Sequence, residues 1–95
     1  KPDYALAQLN YVKANLAVGQ FYASLDGLEA LNKLWPDSSI IYFTRGLVYH
    51  EMDEDSLALA NFETARIIDP ANNENLVNIA NIHYQNEDYT IRGIS

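Results

Sequence analysis

The chain has 95 residues, 48% hydrophobic and 20% charged, and its 13 acidic against 6 basic side chains give a net charge of −7. That length holds one small domain, and that composition is too apolar for a disordered chain. Without a basic stripe it excludes binding to a phosphate backbone, and an anionic membrane surface repels it.

A first helix is predicted over about Tyr4 to Val18, with a break at Gly19-Gln20. A second runs from about Phe21 to Leu34 and stops at Trp35-Pro36, because proline lacks an N–H and restricts the residue before it. Asp37, Ser38 and Ser39 follow and can accept hydrogen bonds from the first free N–H groups of a third helix. Its apolar positions recur at helical spacing in Ile40-Ile41-Tyr42-Phe43, Leu47-Val48-Tyr49 and Met52. A polar break at Asp53-Glu54-Asp55 precedes a fourth stretch, Ser56 to Ile68. Asn72 and Asn73 then open a helix predicted to Gln85, a third break falls at Asn86-Glu87-Asp88, and a last helix opens at Tyr89. No stretch alternates strictly between apolar and polar residues, so no strand is predicted.

The only prolines are Pro2, Pro36 and Pro70, each 34 residues after the last. Equal spacing of helix breakers marks a repeated unit, and periods of roughly 20–50 residues belong to stacked arrays. The units are residues 3–36, 37–70 and 71–95, the last incomplete, within a single domain of residues 1–95.

The middle unit carries Tyr42, Gly46 and Tyr49 in its first helix, Ala58, Phe62 and Ala65 in its second, and Pro70 at its close. This pattern resembles the tetratricopeptide repeat. The first unit fits more loosely, with Val12, Ser24, Leu28 and Leu31 in the phases of Gly46, Ala58, Phe62 and Ala65. The third keeps Ala80, Asp88 and Tyr89 but has Arg92 in the phase of Ala58. A long charged side chain prevents the usual close crossing there, so the last residues are expected to fray or to pack on something beyond the chain. The resemblance implies an all-α fold, a right-handed superhelical stack of antiparallel helix pairs. It places Gly46 and Ala58 where paired helices approach most closely, and Tyr42, Tyr49 and Phe62 between units. Asn73, Asn75, Asn78, Asn81 and Gln85 make the last full helix the most polar. Capping of the stack and truncation of a longer array both account for that. The chain begins without Met, which fits a processed protein or a piece of a longer one.

No constellation for chemistry stands out. Cysteine is absent, which removes disulfides, thiolate sites and thiol nucleophiles. His50-Glu51 lacks a second histidine four residues on, so the zinc-protease spacing is missing. His50 and His83 read as partly buried histidines between helices. Glu51, Asp53, Glu54 and Asp55 lack the central glycine of a calcium loop and read as a solvated turn. The serines lie in no nucleophile elbow, and the glycines form no phosphate-cradling loop. Gly27 falls inside a helix at a cost of ~1 kcal/mol relative to alanine. A close contact on the outer face would explain it, and so would simple tolerance. No metal, cofactor or catalytic activity is expected. No apolar run reaches the ~20 residues that span a bilayer, so no membrane insertion is expected, and a cytoplasmic location is the default.

In the resembled family the first helices of successive units line a concave groove that takes extended peptides or helices. That phase falls on Leu6, Leu9, Asn10, Lys13 and Leu16, then Phe43, Thr44, Leu47 and His50, then Val77, Asn78, Asn81 and Tyr84. Asn10, Thr44 and Asn78 share one register, and an asparagine can both donate to and accept from a peptide backbone. Leu9, Phe43, Leu47 and Val77 make the groove apolar, as contact surfaces are. Members of the family that clamp a C-terminal carboxylate use two lysines, an arginine and two asparagines at the places of Leu9, Lys13, Thr44, Glu74 and Asn78, with an asparagine at the place of Lys13 and the arginine at that of Asn78. Here only Lys13 is cationic and Glu74 would repel the ligand. A neutral apolar or a basic protein segment suits the groove better. The leading expectation is a non-catalytic protein-interaction module. The alternatives are self-association through exposed ends, as part of a longer array or a homo-oligomer, and an accessory domain fused to an enzyme.

Overall fold

The structure is a computed structural model that describes the backbone of residues 2–94 and the side chains of residues 4–85. It contains five helices: α1 (Pro2–Ala17), α2 (Phe21–Leu34), α3 (Ser39–Glu51), α4 (Asp55–Ile68) and α5 (Asn73–Ile94). No strand occurs among the described residues. Each helix packs on the next in chain order. Helices of 13 to 16 residues, such as α1 to α4, are marginal alone in water, so tertiary packing must hold them.

That packing comes in two apolar clusters. In the first, Ala5, Leu9 and Val12 of α1 meet Leu28 and Leu31 of α2 and Ile41 and Val48 of α3. In the second, Ala58 and Phe62 of α4 meet Ile79 and Ile82 of α5, with Phe43, Leu47 and Tyr49 of α3 against them. α3 feeds both clusters, so it joins the two halves. Leu28, Leu31, Ile41 and Phe62 are each fully buried, and each such side chain contributes about 1.5–3 kcal/mol relative to exposure.

The backbone repeats with the period of the prolines. Gly19 and Asp53 both have positive φ, 81° and 61°. The amide of Gln20 donates to the carbonyl of Asn15 at 2.8 Å, and that of Glu54 donates to Tyr49 at 2.9 Å. Helix ends match too: Trp35 N–H donates to Leu31 at 2.9 Å and Asp69 N–H to Ala65 at 2.8 Å. The residues that follow α2 and α4 have nearly equal dihedrals, φ −126° and ψ 72° at Trp35 against φ −132° and ψ 80° at Asp69.

The third unit departs from this pattern. α5 runs unbroken through Asn86, Glu87 and Asp88, where the sequence predicts a turn. The register places Glu87 where Gly19 and Asp53 stand. Glycine enters the left-handed region freely and aspartate tolerates it, whereas the longer glutamate does not. The separate last helix is therefore replaced by a longer α5. The side chains of Tyr89 and Arg92, to which the sequence assigns repeat positions, lie outside the described residues.

Capping also differs from expectation at one end and agrees at the other. Ser38 precedes α3 in an extended conformation and makes no side-chain cap bond. Its carbonyl instead accepts the amide of Ile41 at 3.1 Å. At α5, Asn72 Oδ1 accepts the amide of Glu74 at 2.9 Å, the cap that asparagine was expected to make.

Two glycines allow close helix approach. A Cβ on Gly46 of α3 would stand 2.6 Å from Phe62 Cε1, so the glycine admits the ring. A Cβ on Gly27 of α2 would stand 2.7 Å from Val12 Cγ2 of α1. Gly27 is buried, so its close contact is on the inner α1–α2 interface and not on an outer face. Beside it, the buried Ser24 hydroxyl donates to the Val12 carbonyl at 2.8 Å.

Candidate functional site

The phase expected to face a groove divides into buried and open positions. Leu9 is 9% exposed and belongs to the α1–α2–α3 cluster, and Thr44 is 2% exposed. Neither can touch a ligand, and both are withdrawn from the surface site. Thr44 is covered because α3 packs between two clusters, and Leu9 because α1 turns it into the cluster it forms with α2 and α3. The asparagine register is broken with it: Asn10 is exposed, Thr44 buried and Asn78 half-buried.

Leu16 is half-buried against the first cluster. Phe43 and Leu47 are half-buried against the second, with the Phe43 ring centroid 5.9 Å from that of Phe62 and the planes tilted by 58°. They offer edges to the surface and contribute mainly to packing. His50 sits at the α3–α4 corner, its Nδ1 3.4 Å from Asp55 Oδ1. That buried nitrogen makes no hydrogen bond, so the contact is an ion pair only when the ring is protonated.

The open positions lie on the end helices. On α1 these are Leu6, Asn10 and Lys13; on α5 they are Val77, Asn81 and Tyr84. Leu6 and Val77 keep more than half of their surface in water, and Tyr84 keeps 72%. Val77 and Asn78 line a shallow depression of about 190 Å³ together with Asn73 and Glu74. Small-molecule sites run to roughly 300–1,000 Å³, so this depression has the size for one side chain. Sequence reasoning placed Glu74 in the groove with Asn78 as a residue that would repel a carboxylate, but did not place Asn73 there. The i,i+4 spacing of Asn73 with Val77 is the signal that finds it.

Among the described residues no three His, Asp or Glu side chains converge as a metal set, and no helix is long and apolar enough to cross a membrane. Neither a family model nor a curated protein matches the chain.

Proposed function

We propose that the chain is a non-catalytic protein-interaction module of the tetratricopeptide type, and that its first helices receive a neutral apolar or basic peptide or amphipathic helix. The repeated turn geometry at Gly19 and Asp53 supports a stack of like hairpins. The dimensions support it too. The molecule measures 53 × 29 × 15 Å with a radius of gyration of 14.3 Å, against about 12 Å for a compact domain of this length. Two helix layers about 10 Å apart, each with Cα atoms at a radius of about 2.3 Å, give a slab of about 15 Å. In this reading the hairpins wind into a right-handed superhelix, with α1, α3 and α5 forming the inner layer.

The observation that carries the ligand preference is the depression on α5. Val77 gives it an apolar wall, the Glu74 carboxylate lies at its side, and the Asn73 and Asn78 amides complete it. A lysine or arginine of the partner can lay its aliphatic stem on Val77 and its charge near Glu74. Leu6, Asn10 and Lys13 on α1, with Asn81 and Tyr84 on α5, extend the contact surface.

The test is fluorescence polarisation with labelled helical peptides in basic amphipathic, neutral apolar and acidic series. The basic and neutral series are expected to bind and the acidic series to fail. Val77→Glu is expected to weaken binding by roughly tenfold or more while the helical circular dichroism is kept. Binding by none of the series, or binding that Val77→Glu leaves unchanged, would overturn the assignment.

A further inference from the structure

The face that α5 turns to α4 is poorly anchored. Among the described residues its buried apolar side chains are Ile79 and Ile82, set against Ala58 and Phe62. Its other large apolar side chains, Leu76, Val77 and Tyr84, are exposed. Asn75 stands four and seven residues before the two isoleucines, so it shares their face. It is fully buried, and neither its Nδ2 nor its Oδ1 finds a hydrogen-bond partner. The same register position on α3 holds the core residue Ile41. An unpaired buried amide costs about as much as a buried isoleucine contributes, so Asn75 offsets one of the two anchors.

The other helices are tied more firmly. α1 and α2 are joined by the Ser24 hydroxyl on the Val12 carbonyl at 2.8 Å and by Gln8 Nε2 on the Gly27 carbonyl at 3.4 Å. α3 and α4 close on each other where the Phe62 ring seats against Gly46. Among the described residues no side-chain hydrogen bond or ion pair ties α5 to α4. Asn73, Asn75, Asn78 and Asn81 also lower the intrinsic helix propensity of α5.

We propose that α5 is a cover that opens as one unit, while α1 to α4 stay folded. Residues 69–72 link it to α4 and serve as the hinge. Helices held by few buried apolar contacts belong to the low end of local stability and open together. A polar residue at a core position, against the pattern of its own repeat, is the kind of local conflict that marks a moving or functional element. Opening uncovers Ala58 and Phe62 of α4 and the adjoining sides of Phe43, Leu47 and Tyr49 of α3. The closed form hides this apolar face, and Asn75 sets how often it is shown. The inference stands apart from the peptide reading, and its test needs no ligand.

Native-state amide hydrogen exchange of the 95-residue chain in low denaturant tests the proposal. The amides of residues 77–85 are expected to open together, roughly tenfold or more often than the slowest amides of α1 to α4, with one shared denaturant slope smaller than the global one. Asn75→Leu is expected to slow their exchange by roughly tenfold. Ile41→Val, a mild change in the first cluster, is expected to speed the slowest amides of α1 to α4 by roughly threefold and to leave α5 unchanged, because that cluster stays intact when α5 opens. Protection of α5 equal to that of α1 to α4, or acceleration of α5 by Ile41→Val, would show a single cooperative unit and overturn the proposal. So would rates graded from the helix end with no shared slope, or α5 exchange that Asn75→Leu does not slow.

Discussion

The ring of Phe62 on α4 occupies the space that a side chain on residue 46 of α3 would need: three of its carbons lie within 2.9 Å of the position a Cβ would take. Helix propensity alone favours Gly46→Ala by about 1 kcal/mol. Overpacking a filled core costs about 1–3 kcal/mol, and Phe62 is fully buried with no free space to retreat into. Gly46→Ala is therefore expected to lower stability by about 1–2 kcal/mol in urea unfolding. Combining it with Phe62→Leu should give a destabilisation smaller than the sum of the two single changes.

Asn75 is fully buried with neither amide atom partnered, at the register position where α3 has the core residue Ile41. Unpaired buried polar atoms cost about 1–3 kcal/mol, whereas apolar replacement of similar shape is tolerated. Asn75→Leu is expected to raise stability by about 1–2 kcal/mol, read from the denaturation midpoint at constant slope. A loss of stability would show that the amide is bonded in solution.

The two interhelix turns predict changes of opposite sign. Gly19 at φ 81° has no neighbour near its missing Cβ, so Gly19→Ala meets only backbone strain, about 1–2 kcal/mol. Asp53 at φ 61° already bears that strain, and Asp53→Gly is expected to stabilise by about 0.5 kcal/mol once the added unfolded-state entropy is subtracted. Thermal melts of the two variants check the signs. Glu87→Gly places a turn-competent residue in the same register, and ¹³Cα shifts are expected to show α5 interrupted there.

These positions also show what the sequence made legible. The prolines marked the ends of the second and fourth helices, and Gly19-Gln20 and the polar run Asp53-Glu54-Asp55 the breaks within each pair, because such breakers act locally. The end of α5 was missed because the polar run Asn86-Glu87-Asp88 resembles a turn in composition yet has no residue that readily takes positive φ at the register position. The groove phase is an angle around each helix, and an angle carries no depth. Leu9 and Thr44 share a face with open residues in the pattern, and only the packing shows that they are covered, Leu9 in the first cluster and Thr44 on the α3 that joins the two. Gly27 was visible as an anomaly, while its partner Val12 became apparent only when the α1–α2 crossing was known.

The most direct test of the stacked arrangement is the pattern of side-chain nuclear Overhauser effects in solution. The account predicts contacts from the Phe62 ring to Gly46 Hα and to the methyls of Ile79 and Ile82, and from Ile41 and Val48 to Leu28 and Leu31, in two separate sets. Contacts joining Ala5 or Leu31 to Ile79 or Ile82 would merge the two clusters into one closed bundle and contradict the stack.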